Sequence, residues 1–118
     1  MVLPEDIWYI ERICDMLYRL GVNRNYAGFY YAVYGVWLCT NQPERLLLVT
    51  KWLYPDVAAH YGTNWKAVER ALRTVVSTAW RNNPALLETF AGKPLYEKPC
   101  SSRFLSILTS CMFPQEAA

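Results

Sequence analysis

Lys66, Glu69, Arg70, Arg73 and Ser77 recur at i, i+3, i+4, i+7 and i+11, so on a helix they share one face, with Thr74 beside them. These are the residue types that read a DNA major groove. Guanidinium and ammonium groups suit guanine edges and phosphates, a carboxylate accepts from cytosine N4, and short hydroxyls let the backbone approach. Val68, Leu72, Val75, Val76 and Ala79 follow i, i+4, i+7, i+8 and i+11 and form the expected buried side. A solvated helix face held by i, i+4 pairs such as Glu69–Arg73 has the same pattern, and the spacing alone leaves both readings open. The roles follow from chemistry: Glu69 and Arg70 at base edges; Lys66, Arg73 and Lys51 at phosphates or flanking bases; Thr63 or Asn64 at a phosphate near the helix start. Trp65, in the first turn, is expected to be exposed.

Charge is concentrated in the same region. The chain has 118 residues with Lys+Arg 12 against Asp+Glu 10. Residues 51–81 carry Lys51, Lys66, Arg70, Arg73 and Arg81 against only Asp56 and Glu69, while the flanking segments are near neutral. Other chemistries find little material. Cys14, Cys39, Cys100 and Cys111 form no CxxC, and His60 is the single histidine, so a zinc site is not expected. The cysteines read as buried apolar thiols in a reducing cytosol. Asp56 and His60, four apart, read as charges complementing the two ends of a short helix rather than as a catalytic pair. No glycine-rich phosphate loop, GxSxG or HExxH occurs, and neither an enzyme nor a cofactor is expected.

The elements that must position this face are helical throughout. An apolar content of 53% with 19% charged residues excludes disorder, and 118 residues suit one domain, 1–118. Leu3, Ile7, Ile10, Ile13, Leu17 and Leu20 make one stripe of a first helix from Pro4, ended by Gly21. Residues 25–39 are apolar nearly all round and predict a central buried helix whose aromatic rings pack in the core. The apolar part, Tyr26–Cys39, is too short to span a membrane. Gln42-Pro43-Glu44 starts a third helix, which Tyr54-Pro55 breaks. A short helix then runs to Gly62, Thr63 caps a long one over 64–80, Asn82-Asn83-Pro84 opens another closed by Gly92, and Ser101 or Ser102 caps a last helix to about Met112, ended by Pro114. No strand pattern occurs. The fold class is all-α: a compact bundle of about six helices, seven if the break at Pro55 is complete. A short helix, a glycine-containing turn and a second amphipathic helix over about 55–80 is a helix-turn-helix pattern. Without a secretion signal or membrane span, a cytoplasmic location is expected.

The run Thr50-Lys51-Trp52-Leu53-Tyr54-Pro55-Asp56-Val57-Ala58, followed by Val68-Glu69-Arg70-Ala71-Leu72-Arg73 and Ala79-Trp80, closely resembles the C-terminal effector domain of the stage-zero sporulation protein A family. The likeness extends to Leu20-Gly21-Val22, Gly28-Phe29-Tyr30-Tyr31, Lys98-Pro99 and Ser102-Arg103-Phe104, and covers about residues 10–113. The resemblance implies a six-helix transcription regulator whose Glu-Arg pair, here Glu69 and Arg70, reaches the major groove of double-stranded TGTCGAA-type boxes. It also implies head-to-tail homodimers on tandem boxes, contact with an RNA polymerase sigma factor, and activation by a receiver domain for which 118 residues leave no room. The chain departs from the family pattern at Trp65, Lys66 and Ala67, where a small residue, serine and arginine precede V-E-R, and at Thr74, where the family has histidine. Those departures, with the aromatic excess, support an alternative: an interaction module of the same fold that pairs with a regulator or sigma factor through Phe104, Leu105, Ile107, Leu108 and Met112.

Overall fold

The computed structural model describes residues 4–113. Seven α-helices and one short 3-10 segment follow in order: α1 (Pro4–Arg19), α2 (Ala27–Asn41), the 3-10 segment (Pro43–Leu47), α3 (Val49–Trp52), α4 (Tyr54–Tyr61), α5 (Trp65–Asn82), α6 (Pro84–Ala91) and α7 (Ser101–Ser110). No strand occurs among the described residues. The stripe expected for α1 holds from Ile13 onward, where Ile13, Leu17 and Leu20 are fully buried; Ile7 is exposed, and Leu3 lies outside the described residues.

α2 is the centre of the bundle and packs against α1, α4, α5 and α7. Gly28 permits its close crossing with α5: a Cβ there would lie 2.5 Å from the Ala71 carbonyl oxygen and 2.5 Å from Val75 Cγ2. Burial is not uniform around α2, however. Phe29, Ala32, Gly35, Val36 and Cys39 are buried, whereas Tyr30 is exposed and Tyr31, Tyr34 and Trp37 are half-buried. The expectation that these rings pack in the core is therefore met by Phe29 and only partly by the others.

The expected third helix divides. Leu48 adopts φ −152° and ψ 76°, which ends the 3-10 segment before the single turn of α3 begins. Pro55 enforces the next break, because its ring and missing N–H are incompatible with a helix continuing from residue 51. Leu53 forms the joint, and Tyr54 and Pro55 open α4. Arg45 braces the joint by donating to the Trp52 carbonyl, one of those left over at the end of α3, and to Asp56 Oδ2 at 2.6 Å.

Two caps fall elsewhere than expected. Asn64, not Thr63, caps α5, its side chain accepting from the Ala67 amide at 3.0 Å. α7 starts at Ser101 with Cys100 in the cap position and without a side-chain cap. Pro114 lies outside the described residues. At the far end of α5, Asn82 Nδ2 donates to the Gly21 carbonyl at 3.1 Å and Asn83 Nδ2 to the Arg19 carbonyl at 3.2 Å, so the α5–α6 junction closes the end of α1. Phe104, Leu105, Ile107, Leu108 and Met112 all belong to the core. They form no surface, which removes the interface that the alternative reading placed on them.

Among the described residues no helix is long and apolar enough to cross a membrane, and no group of three or more His, Cys, Asp or Glu is placed to hold a metal ion. The cysteines are free; Cys39 is buried, Cys14 and Cys111 are half-buried, and Cys100 is exposed, so the expectation of buried thiols fails at Cys100.

Candidate nucleic-acid interface

α4 and α5 meet through Gly62, Thr63 and Asn64. Gly62 takes the left-handed conformation at φ 68°, and the Thr63 amide returns to the Ala58 carbonyl at 2.9 Å, a glycine-dependent stop. Val57 and Ala58 of α4 and Val68 and Leu72 of α5 are buried in the common core. Burial together with the nearby Glu69 carboxylate pushes the Tyr54 phenol up to about 12. A short helix, a three-residue turn and a long helix packed back onto it make a helix-turn-helix in space as well as in sequence.

On α5 the division of faces is as expected. Val68, Leu72, Val75, Val76 and Ala79 are buried; Lys66, Arg70, Arg73 and Thr74 are exposed, and Glu69 and Ser77 are half-buried. Glu69 Oε1 pairs with Arg73 Nη2 at 2.9 Å. The Thr74 hydroxyl donates to the Arg70 carbonyl at 3.4 Å, and Arg70 has no ion pair of its own among those the structure shows. Trp65 is 40% exposed, with Lys66 Nζ 5.8 Å from its ring centroid. Thr63 is half-buried and Asn64 exposed at the head of the helix.

A shallow groove of about 420 Å³ follows this face. Arg70, Arg73, Arg81, Lys98 and Tyr26 line it, and no carboxylate does. Lys98 arrives from the loop before α7 and donates to Ser77 Oγ at 3.0 Å. Neither Arg81 nor Lys98 stood among the expected contacts. Arg81 lies eleven residues beyond Arg70, which returns it to the same face of a long helix, so periodicity alone could have found it. Lys98 lies in an irregular loop whose path no spacing gives. Lys51, by contrast, lines a separate cleft with Arg45 and Asp56, apart from the α5 groove. Asp56 is engaged by Arg45, and His60 stacks on Tyr34 with ring centroids 4.0 Å apart.

An all-α bundle presenting a helix-turn-helix with a cationic second helix defines a transcription-factor type of DNA-binding domain. The family described as "Sporulation initiation factor Spo0A C terminal" matches residues 13–112, and the chain belongs to that family. It is a DNA-binding, transcription-regulating family of sporulation and not an enzyme family.

Proposed function

We propose that this chain binds double-stranded DNA sequence-specifically, with α5 in the major groove, as a cytoplasmic regulator of the sporulation-initiation type. The observation that carries the reading is the carboxylate-free groove along α5, where Arg70, Arg73, Arg81 and Lys98 converge. Arg70, exposed in the second turn of the helix and without an ion pair among the described residues, reads a base edge, and Glu69 beside it accepts from one. Lys66, Arg73, Arg81 and Lys98 neutralise phosphates, and Thr63 or Asn64 meets the backbone near the helix start. Thr74 supports close approach, Trp65 packs against sugar or backbone, and Lys51 reaches a flanking phosphate. TGTCGAA-type boxes are the proposed target, and a second copy on a tandem box and an RNA polymerase sigma factor are the proposed protein partners.

The test is fluorescence anisotropy with a duplex carrying tandem boxes against a scrambled duplex at two salt concentrations. Five cationic phosphate contacts predict a log Kd–log salt slope of about 4 to 5 in magnitude. Preference for the boxes with that slope supports the reading. Equal binding to both duplexes removes the box assignment, and no binding at low salt removes the DNA reading.

A further inference from the structure

We infer that the loop between α6 and α7 is a second DNA-contacting element, which grips the sugar-phosphate backbone beside the base pairs read by α5, through Lys93, Tyr96 and Arg103. This rests on the DNA-binding reading above and widens its footprint. Residues 93–103 carry Lys93, Lys98 and Arg103 against Glu97 alone. All four are exposed, and none enters an ion pair among the described residues. The three cations and Tyr96 rim a shallow hollow of about 350 Å³. Like charges left without partners on one surface repel each other and suit a polyanion.

The loop holds these groups outward on a firm base. Pro94 and Pro99 fix φ on either side of its tip. Leu95 packs against the core and Pro99 is buried, so the stretch between them is pinned at both ends. At its crest Tyr96 is 95% exposed, more than any other large apolar side chain among the described residues. A ring standing clear of the fold on a pinned loop brings little ordering cost to a complex. Its hydroxyl suits a phosphate oxygen while its face covers a deoxyribose.

The loop stands where α5 leaves the major groove. Lys98 Nζ donates to Ser77 Oγ at 3.0 Å, and Lys98 lines both the hollow of the loop and the α5 groove, so the two surfaces are continuous. Ser77 lies two helical turns beyond Arg70, about 10 Å along the axis. A recognition helix puts its first turns at the base edges, and its later turns run out toward the strand that borders the groove. A loop joined to Ser77 meets that strand, next to the bases read but outside them. This continuity and the excess of cations favour DNA over a protein partner at the loop.

The test is the salt dependence of duplex binding by the full chain, measured by anisotropy on duplexes of about 30 base pairs, roughly three helical turns, with and without one TGTCGAA-type box. The five phosphate contacts assigned above set a slope of about 4 to 5, and the loop adds roughly 2 on a duplex that extends past the box. Lys93→Ala combined with Arg103→Ala is expected to remove that increment on both duplexes. Tyr96→Ala should weaken both at least about threefold at an unchanged slope. All three positions are exposed, so the urea midpoint stays at the parent value; Lys93→Gln with Arg103→Gln repeats the measurement should the alanine pair lower it. Lys66→Ala reports on α5 in the same assay. An unchanged slope in the double variant, with Lys66→Ala lowering it, overturns the loop and leaves the DNA reading standing. A lowered slope in the double variant with Lys66→Ala inert supports the loop and overturns the assignment of α5. No binding of the parent chain to either duplex overturns both.

Discussion

Glu69 and Arg70 adjoin on α5 but enter an encounter with DNA in different states. Glu69, half-buried, is held by exposed Arg73 across one turn, an i, i+4 helix pair worth about 0.3–0.5 kcal/mol, so the carboxylate exchanges it for a base amino group at little cost. Arg70 has nothing to release. Arg70→Ala is therefore expected to cost about 1–3 kcal/mol on the proper box and to relax its specificity. Competition anisotropy reads this, and an equal loss on random duplex contradicts base reading. Lys66→Ala and Lys98→Ala should weaken all duplexes alike and lower the salt slope by roughly 1 each; an undiminished slope for Lys98→Ala places that lysine off the DNA path. Asn64 is a cap as well as a candidate contact. Asn64→Ala should lower stability by about 1 kcal/mol, read as a lower urea midpoint, whereas Thr63→Ala should leave the midpoint nearly unchanged.

Helices were largely legible in the sequence because their punctuation is local. Pro4, Gly21, Gly62, Asn83-Pro84 and Gly92 stop or start elements by their own backbone chemistry, and α5 announced its two faces by periodicity. Elements settled by tertiary contacts were less legible. The 43–52 region carries three consecutive leucines, Leu46 to Leu48, which form no helical stripe, and the joint is braced by Arg45 reaching eleven residues ahead to Asp56. Lys98 joins the α5 groove through a loop without period. The uncovered flank of α2 escaped because a helix apolar on all sides does not announce which side its neighbours leave bare. At this scale Gly28 is the sharpest test of the α2–α5 crossing. Gly28→Ala puts a methyl group 2.5 Å from a backbone oxygen, and overpacking of that kind costs about 1–3 kcal/mol. A fall in thermal midpoint is expected, together with weakened DNA binding because α5 is the displaced partner; an unchanged midpoint means the crossing opens without strain.

The molecule as a whole is one continuous core drawn from every α-helix but the single turn of α3, and its thiols report on the integrity of that core. Cys100 is exposed, and its hydrogen bond with the Ser102 hydroxyl, aided by the Arg103 amide, holds its thiol below the ordinary range. Burial pushes Cys39 up to about 12. At neutral pH iodoacetamide should modify Cys100 first and leave Cys39 intact until the bundle unfolds, which mass spectrometry of a time course resolves; early Cys39 labelling contradicts the packing around α2. The sign for alkaline stability follows from the same burial. Cys39 and Tyr54 keep their protons longer in the fold than in the unfolded chain, so stability holds below their ordinary pKa values and declines as pH rises from about 8.5 toward 12. The amides of Asn82 and Asn83, which close the carbonyls of Gly21, just past α1, and of Arg19, its last residue, bear on the order of assembly. On a ribosome α1 leaves the exit tunnel some sixty residues ahead of them, so its C-terminal turn frays in the nascent chain until α5 has been made and folded back. The first helix of this bundle to be synthesised is thereby among the last of its elements to be finished.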